Sequence, residues 1–307
     1  MLKSLFVFSA FLVSAFGVSG REVIGNDKLR AEILTPEESN GLDRDQCPRF
    51  DRLGAVTQIQ FDGRRFLTRC GLTDEFGILA APPGYTGKGE GGEFMKIGVG
   101  VLFDNAPPGD YKFFHPYPVS RLFETVMKRE GARLVFEQNV PDFQGYSYEY
   151  RKTYTIAPET GTLEIAYFLR NTGSKPISTS QYNHNFFAFA SGLDDSKYLI
   201  HTAFDKKAKS MTGDCFFYRN QTYSNLRETK KGCYFVVLEP IPASENRFEI
   251  SHSGIPGRVT VSGDFPSERF AVSFTANSHI SPEIFIRIEL RPGEELSWRR
   301  TYVFSRD

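Results

Sequence analysis

The 307-residue chain has one Trp, four Cys, four Met, five His and no net charge, with 37 Lys and Arg balancing 37 Asp and Glu. Each scarcity excludes something. A protein that neutralises phosphates carries a basic excess, so nucleic acid and anionic membrane surfaces are not expected partners. Cys47, Cys70, Cys215 and Cys233 form no C-x-x-C pair, and His115, His184, His201, His252 and His279 show no H-E-x-x-H spacing. A zinc site and a dithiol redox motif are therefore excluded, and neither metal nor nucleotide cofactor is expected. No G-x-S-x-G elbow marks a serine hydrolase. No stretch holds a long apolar 3.6-residue period between helix caps, which rules out a doubly wound α/β sheet. With no internal repeat, low-complexity linker or composition shift, nothing divides residues 21–307, which are expected to form a single domain.

The N-terminus is the exception to the scarcity of long apolar runs. Lys3 precedes the apolar run Leu5 to Phe16, and the small residues Gly17, Ser19 and Gly20 follow before Arg21 and Glu22. This is the layout of a signal peptide over residues 1–20, since about a dozen apolar residues fall short of the roughly 20 that span a bilayer. The expected location is secreted or periplasmic, without stable membrane insertion. In an exported chain the even cysteine count permits disulfides, in three connectivities; the sequence-local one pairs Cys47 with Cys70 and Cys215 with Cys233, and free buried thiols are the alternative. Asn220-Gln-Thr is a glycosylation sequon that matters only in a eukaryotic host.

What the chain has in quantity is aromatic: 29 Phe and 14 Tyr, 14% of residues with the Trp. Such side chains suit strands and also the apolar faces of sugars. Tyr148–Ile156, the turn Pro158-Glu-Thr-Gly161, the alternating Thr162–Arg170, the turn Asn171-Thr-Gly-Ser-Lys-Pro176 and a strand from Ile177 toward Phe189 read as an antiparallel meander. Similar runs occur at Leu29–Leu34, Ala55–Phe61, Ile97–Phe103, Arg133–Gln138, Tyr234–Leu238, Arg258–Ser262, Phe270–Thr275, Ile284–Leu290 and Leu296–Phe304. The fold class expected is all-β, a large antiparallel sandwich. Gly87-Lys-Gly-Glu-Gly-Gly92 matches G-x-G-x-x-G, but a following strand in place of a helix makes it a surface loop or lid and not a nucleotide site.

Few residues remain for proton transfer. His184, in Tyr182-Asn-His-Asn-Phe-Phe187, is either a tuned acid-base group or a structural histidine held by its Asn neighbours. His115, in Phe113-Phe-His-Pro-Tyr117, belongs either to a sugar-stacking wall or to an aromatic core. Glu283, in Ser281-Pro-Glu283, is placed between the strand ending near Thr275 and the one starting at Ile284.

The segment Tyr182 to Phe187 resembles the N-H-x-Y-F segment of the aldose 1-epimerases (galactose mutarotases). Arg52-Leu-Gly-Ala-Val-Thr-Gln-Ile-Gln-Phe-Asp-Gly63 is similar to that family's early hairpin, and Leu290 to Phe304 to its last one. The resemblance implies a β-supersandwich that binds a hexose. It implies that a histidine, carried over to His184, protonates the ring oxygen, and that a glutamate, carried over to Glu283, takes the anomeric proton; Glu289 is a rival for the second role. His115 takes the place of the histidine that orients the sugar. The family's G-R-x-x-N-R is absent; Glu93 to Gly100 stands there, and Lys96 is either its substitute or a solvated lysine.

Two readings of function follow. One is an exported aldose 1-epimerase-like isomerase acting on a free sugar or on the reducing end of an oligosaccharide. The other is a noncatalytic carbohydrate-binding protein that uses aromatic faces such as Tyr111, Phe114 and Tyr117. A polysaccharide lyase or hydrolase would need a further base, for which Tyr182 and Tyr117 are the candidates.

Overall fold

The strand Thr162–Asn171 shows how sequence becomes fold. Its side chains alternate between buried and half-buried, with Leu163, Ile165, Tyr167 and Leu169 pointing inward. Burying each such residue contributes about 1.5–3 kcal/mol, and period-two alternation puts all of them on one face. The same rule repeated along the chain produces the architecture of the computed structural model, which describes residues 20–41, 49–89, 91–189 and 195–306.

Two ten-stranded sheets result. The first runs, in hydrogen-bonding order, Arg21–Gly25, Leu29–Leu34, Val56–Phe61, Leu67–Phe76, Ile177–Phe187, His279–Leu290, Arg269–Thr275, Cys233–Val237 and Lys209–Ser210, with Arg64–Arg65 paired to Val56–Phe61. The second runs Phe217–Arg219, Thr222–Ser224, Tyr198–Thr202, Arg247–His252, Ile255–Gly263, Glu295–Ser305, Thr162–Asn171, Tyr146–Ile156, Arg133–Phe143 and Val126–Glu130. A third sheet, Gly92–Lys96, Gly100–Asp104 and Val119–Leu122, has its own small core of Phe94, Val99, Leu102, Ala106 and Tyr117. The inner faces of the two large sheets share one apolar core, from Ile33 and Phe136 to Tyr302 and Phe304. The all-β sandwich is thus observed. The only α-helix among the described residues is the six-residue Pro36–Gly41, and no helix there is long and apolar enough to cross a membrane.

The sandwich interior also holds ions. Lys152 Nζ lies 3.0 Å from Asp51 Oδ1 and 2.6 Å from Asp74 Oδ2. Tyr150 donates to Asp51 (3.0 Å), and Tyr167 and the amides of Gln181 and Asn183 donate to Asp74 (3.1, 2.5 and 2.9 Å). Neutral donors therefore complete the carboxylate shells, as buried charge requires.

Several expectations need correction. Thr162–Asn171 pairs with Tyr146–Ile156, but Ile177–Phe187 crosses to the other sheet, so the three do not form a meander. Asn171 fixes the crossing, its side-chain amide donating to the carbonyls of Lys175 (2.8 Å) and Leu290 (3.0 Å). Ile97–Phe103 is not one strand: the chain turns at Ile97 to Val99, where Gly98 has φ +79° and an added Cβ would meet the Asp51 Cβ at 2.5 Å. Glu283 lies inside the strand His279–Leu290 and not in a connection. Gly87 to Gly92 does lead into a strand, and its Gly87 carbonyl accepts from Gly109 N–H at 2.9 Å. The Cys215–Cys233 disulfide is present, with Cα atoms 5.5 Å apart. Cys47 and residues 1–19 of the expected signal peptide lie outside the described residues, and with Cys47 goes the Cys47–Cys70 pairing.

Candidate active site

Three neighbouring strands of the first sheet build the site, and alternation decides which residues reach it. Thr73 and Glu75 of Leu67–Phe76, Tyr182, His184 and Phe186 of Ile177–Phe187, and Ser281, Glu283 and Phe285 of His279–Leu290 share the outer face, while Asp74, Gln181 and Asn183 turn to the interior ions. The register sets Tyr182 opposite Glu75 on one side and Phe285 on the other. Between the Tyr182 to Phe285 and Phe187 to Ile280 pairs the ladder opens. Pro282 lies there and has no N–H to give. Asn185 bridges the opening, its backbone N–H donating to Ser281 Oγ (3.0 Å) and its side chain to the Pro282 carbonyl (2.5 Å). Counted through the gap, the register puts His184 across from Glu283.

The two side chains meet. His184 Nδ1 is 2.6 Å from Glu283 Oε1, which also accepts from Ser281 Oγ at 3.0 Å. The carboxylate lies off the line of the ring N–H, so the contact is electrostatic more than a straight hydrogen bond. On the other side of the ring, Nε2 faces the Tyr182 hydroxyl at 2.6 Å and an Arg49 nitrogen at 3.4 Å. The Tyr182 hydroxyl is also 2.6 Å from Glu75 Oε2, and Glu75 pairs with Lys96 Nζ at 3.0 Å and lies 3.6 Å from Arg49 Nε. Lys96 donates further to the Tyr111 hydroxyl at 3.0 Å.

Aromatic rings close the cluster. Phe186 stacks on the His184 ring (centroids 4.7 Å), Phe50 meets it edge-on (5.2 Å), and Tyr182 stacks on Phe285 (4.5 Å). The Arg49 guanidinium carbon sits over Phe50, Phe113 and Phe114, 4.8 to 5.6 Å from their centroids. His184 is 8% exposed and Glu283 3%, whereas Phe114 at the rim is 77% exposed. Electrostatics follow from this burial. Burial, then the charges of Glu75 and Glu283, push the Tyr182 phenol well above its ordinary range. Burial and the charge of Glu283 push Tyr234 up to about 12 against the pull of Arg269. Burial would lower the Lys96 ammonium, but Glu75 and Tyr111 outweigh it and hold it above its usual value. Burial and the neighbouring His184 push His279 down to about 4.

The structure thus brings together His184, Glu283, Tyr182 and Lys96. Lys96 is buried in an ion pair and not solvated. Tyr117 is not a platform: it is 1% exposed and packs in the small core against Phe94 and Tyr111. His115 turns to Asn105 (2.8 Å) and to the Tyr117 ring instead of toward His184. Glu289 stands on the exposed end of its strand, held by Arg287 (2.5 Å) and Ser178 (2.9 Å). Sequence reasoning missed Glu75 and Arg49. The signal for Glu75 was two consecutive acids, Asp74 and Glu75, inside a strand bounded by Leu72 and Phe76. Among the described residues, no group of three or more His, Cys, Asp or Glu is placed to hold a metal ion.

No family model and no curated protein matches the sequence. Solved structures do. A galactose mutarotase related enzyme from Lactobacillus acidophilus superposes with TM-score 0.58 at 8% identity, over 93% of this chain and 97% of that one. A galactose mutarotase-like protein from Lactobacillus casei gives 0.57 at 12%, over 93% and 100%, and the GalM/aldose epimerase homologue from C. elegans 0.53 at 12%, over 94% and 99%. What these share with the chain is its fold, the β-sandwich of the aldose 1-epimerase and galactose mutarotase-like proteins.

Proposed function

We propose that the protein is an exported carbohydrate-active isomerase of the mutarotase type, with His184 and Glu283 as its acid-base pair. The observation that carries this reading is the 2.6 Å contact of His184 Nδ1 with Glu283 Oε1 inside an aromatic-rimmed cluster. Ring opening of a hemiacetal removes a proton from the anomeric hydroxyl and adds one to the ring oxygen. Both oxygens sit on the same carbon, so acid and base need not face each other across the sugar. Glu283 takes the hydroxyl proton while His184 protonates the ring oxygen; the ring C–O bond breaks and a carbonyl forms. Rotation about the adjacent C–C bond and the reverse steps give the other anomer. The short contact then returns the proton from one group to the other without solvent. The off-line N–H geometry suits a pair that straightens on binding, as acid-base contacts without substrate often do. Export is supported by the Met1 to Gly20 segment and by the Cys215–Cys233 bridge, which suits an oxidising compartment.

A second reading, carbohydrate binding without turnover, is favoured by one observation: His184 and Glu283 are nearly covered, while Phe114 at the rim is open. Polarimetry on freshly dissolved α-anomers of hexoses and uronic sugars separates the two. Acceleration that His184→Ala and Glu283→Gln abolish supports the isomerase. Sugar binding with no acceleration sinks it, and neither binding nor acceleration sinks both.

A further inference from the structure

Where the ladder between Ile177–Phe187 and His279–Leu290 opens, backbone pairing no longer sets how far His184 stands from Glu283. Each strand stays paired on its far side, to Leu67–Phe76 and to Arg269–Thr275, so the opening lies between these two residues. Asn185 bridges it at Ser281 and Pro282, just before Glu283. Two side chains of the opposite sheet reach the same place. On Glu295–Ser305, alternation turns Arg300 and Tyr302 inward. The Tyr302 hydroxyl lies 2.8 Å from Asn183 Oδ1 and 2.9 Å from Asn185 Oδ1, the residues on either side of His184. Arg300 Nη2 donates at 2.9 Å to the carbonyl of Ile284, the residue after Glu283.

We propose that Tyr302 and Arg300 are positioning residues that act from across the core, Tyr302 on the strand carrying His184 and Arg300 on the strand carrying Glu283. Apolar contact between sheets is non-directional, whereas a hydrogen bond weakens steeply out of line, so these bonds fix a spacing that packing alone leaves loose. Both asparagines are oriented to receive the phenol. The Asn183 amide nitrogen is spent on Asp74 (2.9 Å) and that of Asn185 on the Pro282 carbonyl (2.5 Å), which leaves the two amide oxygens to share the one phenolic hydrogen. Burial, foremost, pushes the Tyr302 phenol above its ordinary range, so the hydroxyl keeps that hydrogen. Arg300 is 2% exposed, pairs with no carboxylate among the described residues, and has no hydrogen-bond partner for Nη1. Tyr167 and Phe265 lie 5.5 and 5.0 Å from its guanidinium and offset only part of the cost of burying the charge. An arginine that costs the fold stability is explained by what it holds.

The consequence for turnover rests on the isomerase reading, but the positioning is measurable without turnover. Tyr302→Phe and Arg300→Met remove the two donors and keep most of the volume. Tyr148→Phe is the matched control, because it deletes an equally buried hydroxyl that bonds Gly98 and Gln138 instead. In protein labelled with 15N-histidine, assigned through His184→Gln, the ring-nitrogen signals of His184 are expected to move in Tyr302→Phe and in Arg300→Met and to stay in place in Tyr148→Phe. Anomer exchange should fall about tenfold to a hundredfold in kcat with KM nearly unchanged, since neither buried side chain can touch a sugar. Unmoved signals in either folded variant, or equal movement in the control, overturn the proposal. Failure of both variants to fold overturns it too, because the two side chains would then serve the fold alone. Signals that move as expected in a protein without anomer exchange leave the positioning standing and remove the isomerase reading. Anomer exchange with unmoved signals does the reverse.

Discussion

Asp74 and Glu75 are neighbours in one strand, as are Asn183 and His184 in the next, yet alternation sends each pair into two ionic clusters of different character. The inner one, Asp51, Lys152 and Asp74, is sealed between sheets, and tyrosine hydroxyls and amides complete its shells. The outer one, Glu75, Tyr182, His184 and Glu283, is nearly as buried but has an open aromatic rim. Burial of charge is common to both and so does not mark a site. What distinguishes the outer cluster is a paired histidine and carboxylate beside an open aromatic rim.

Four experiments can break or sharpen that contrast. The largest effect is expected inside: Lys152→Met leaves Asp51 and Asp74 buried without their cation and should cost about 3–5 kcal/mol in denaturant unfolding. A loss below about 1 kcal/mol would mean that the inner cluster is not the structural one. Next, Glu283→Gln should leave the melting transition nearly unchanged and slow anomer exchange by about 10²–10⁴. Unfolding in that variant would make the outer cluster structural too. A smaller effect is pH-dependent. Burial raises Asp51 and Lys152 lowers it, with Asp74 raising it again, and the balance lifts the carboxyl from 3.8 to about 6. Between about pH 4 and 6 the folded state holds a proton on Asp51 that the unfolded chain has lost, so this contribution to stability grows as pH falls. The difference in unfolding free energy between the protein and Asp51→Asn should therefore drift with pH across that window and level off above it. The smallest effect belongs to the rim: Phe114→Ala should leave stability within about 0.5 kcal/mol, because the ring is 77% exposed, and weaken sugar binding severalfold. Unchanged sugar affinity by calorimetry would remove the rim from the site.

Much of the fold was legible because alternation is a local property. Leu163, Ile165, Tyr167 and Leu169 are buried as their spacing requires, and the turns at Pro158 to Gly161 and Asn171 to Pro176 stand where Gly, Pro and Asn put them. Which sheet a strand enters is not local. The turn after Asn171 would serve equally for a hairpin, and only its bond to Leu290, 119 residues away, reveals a crossing. The candidate site divides in the same way. His184 stood out as a polar residue amid Asn in an aromatic strand. Glu75 did not, because period two assigns a side chain to a face without saying what covers that face. Tyr117 misled because an aromatic cluster reads alike in sequence whether it lines a cleft or fills the small core against Phe94.

The crossings order the assembly of the molecule. His279–Leu290 is a central strand of the first sheet and Glu295–Ser305 of the second, although they come last in sequence among the described strands. Neither sheet closes until they insert, so both halves must wait, side by side, for the same late segment, and such non-local pairing is slow. Glu283 rides on it. The His184–Glu283 contact is thus also a completion mark: a chain cut short before residue 279 has its histidine but no partner for it, and the contact forms only when the whole sandwich has been laced together.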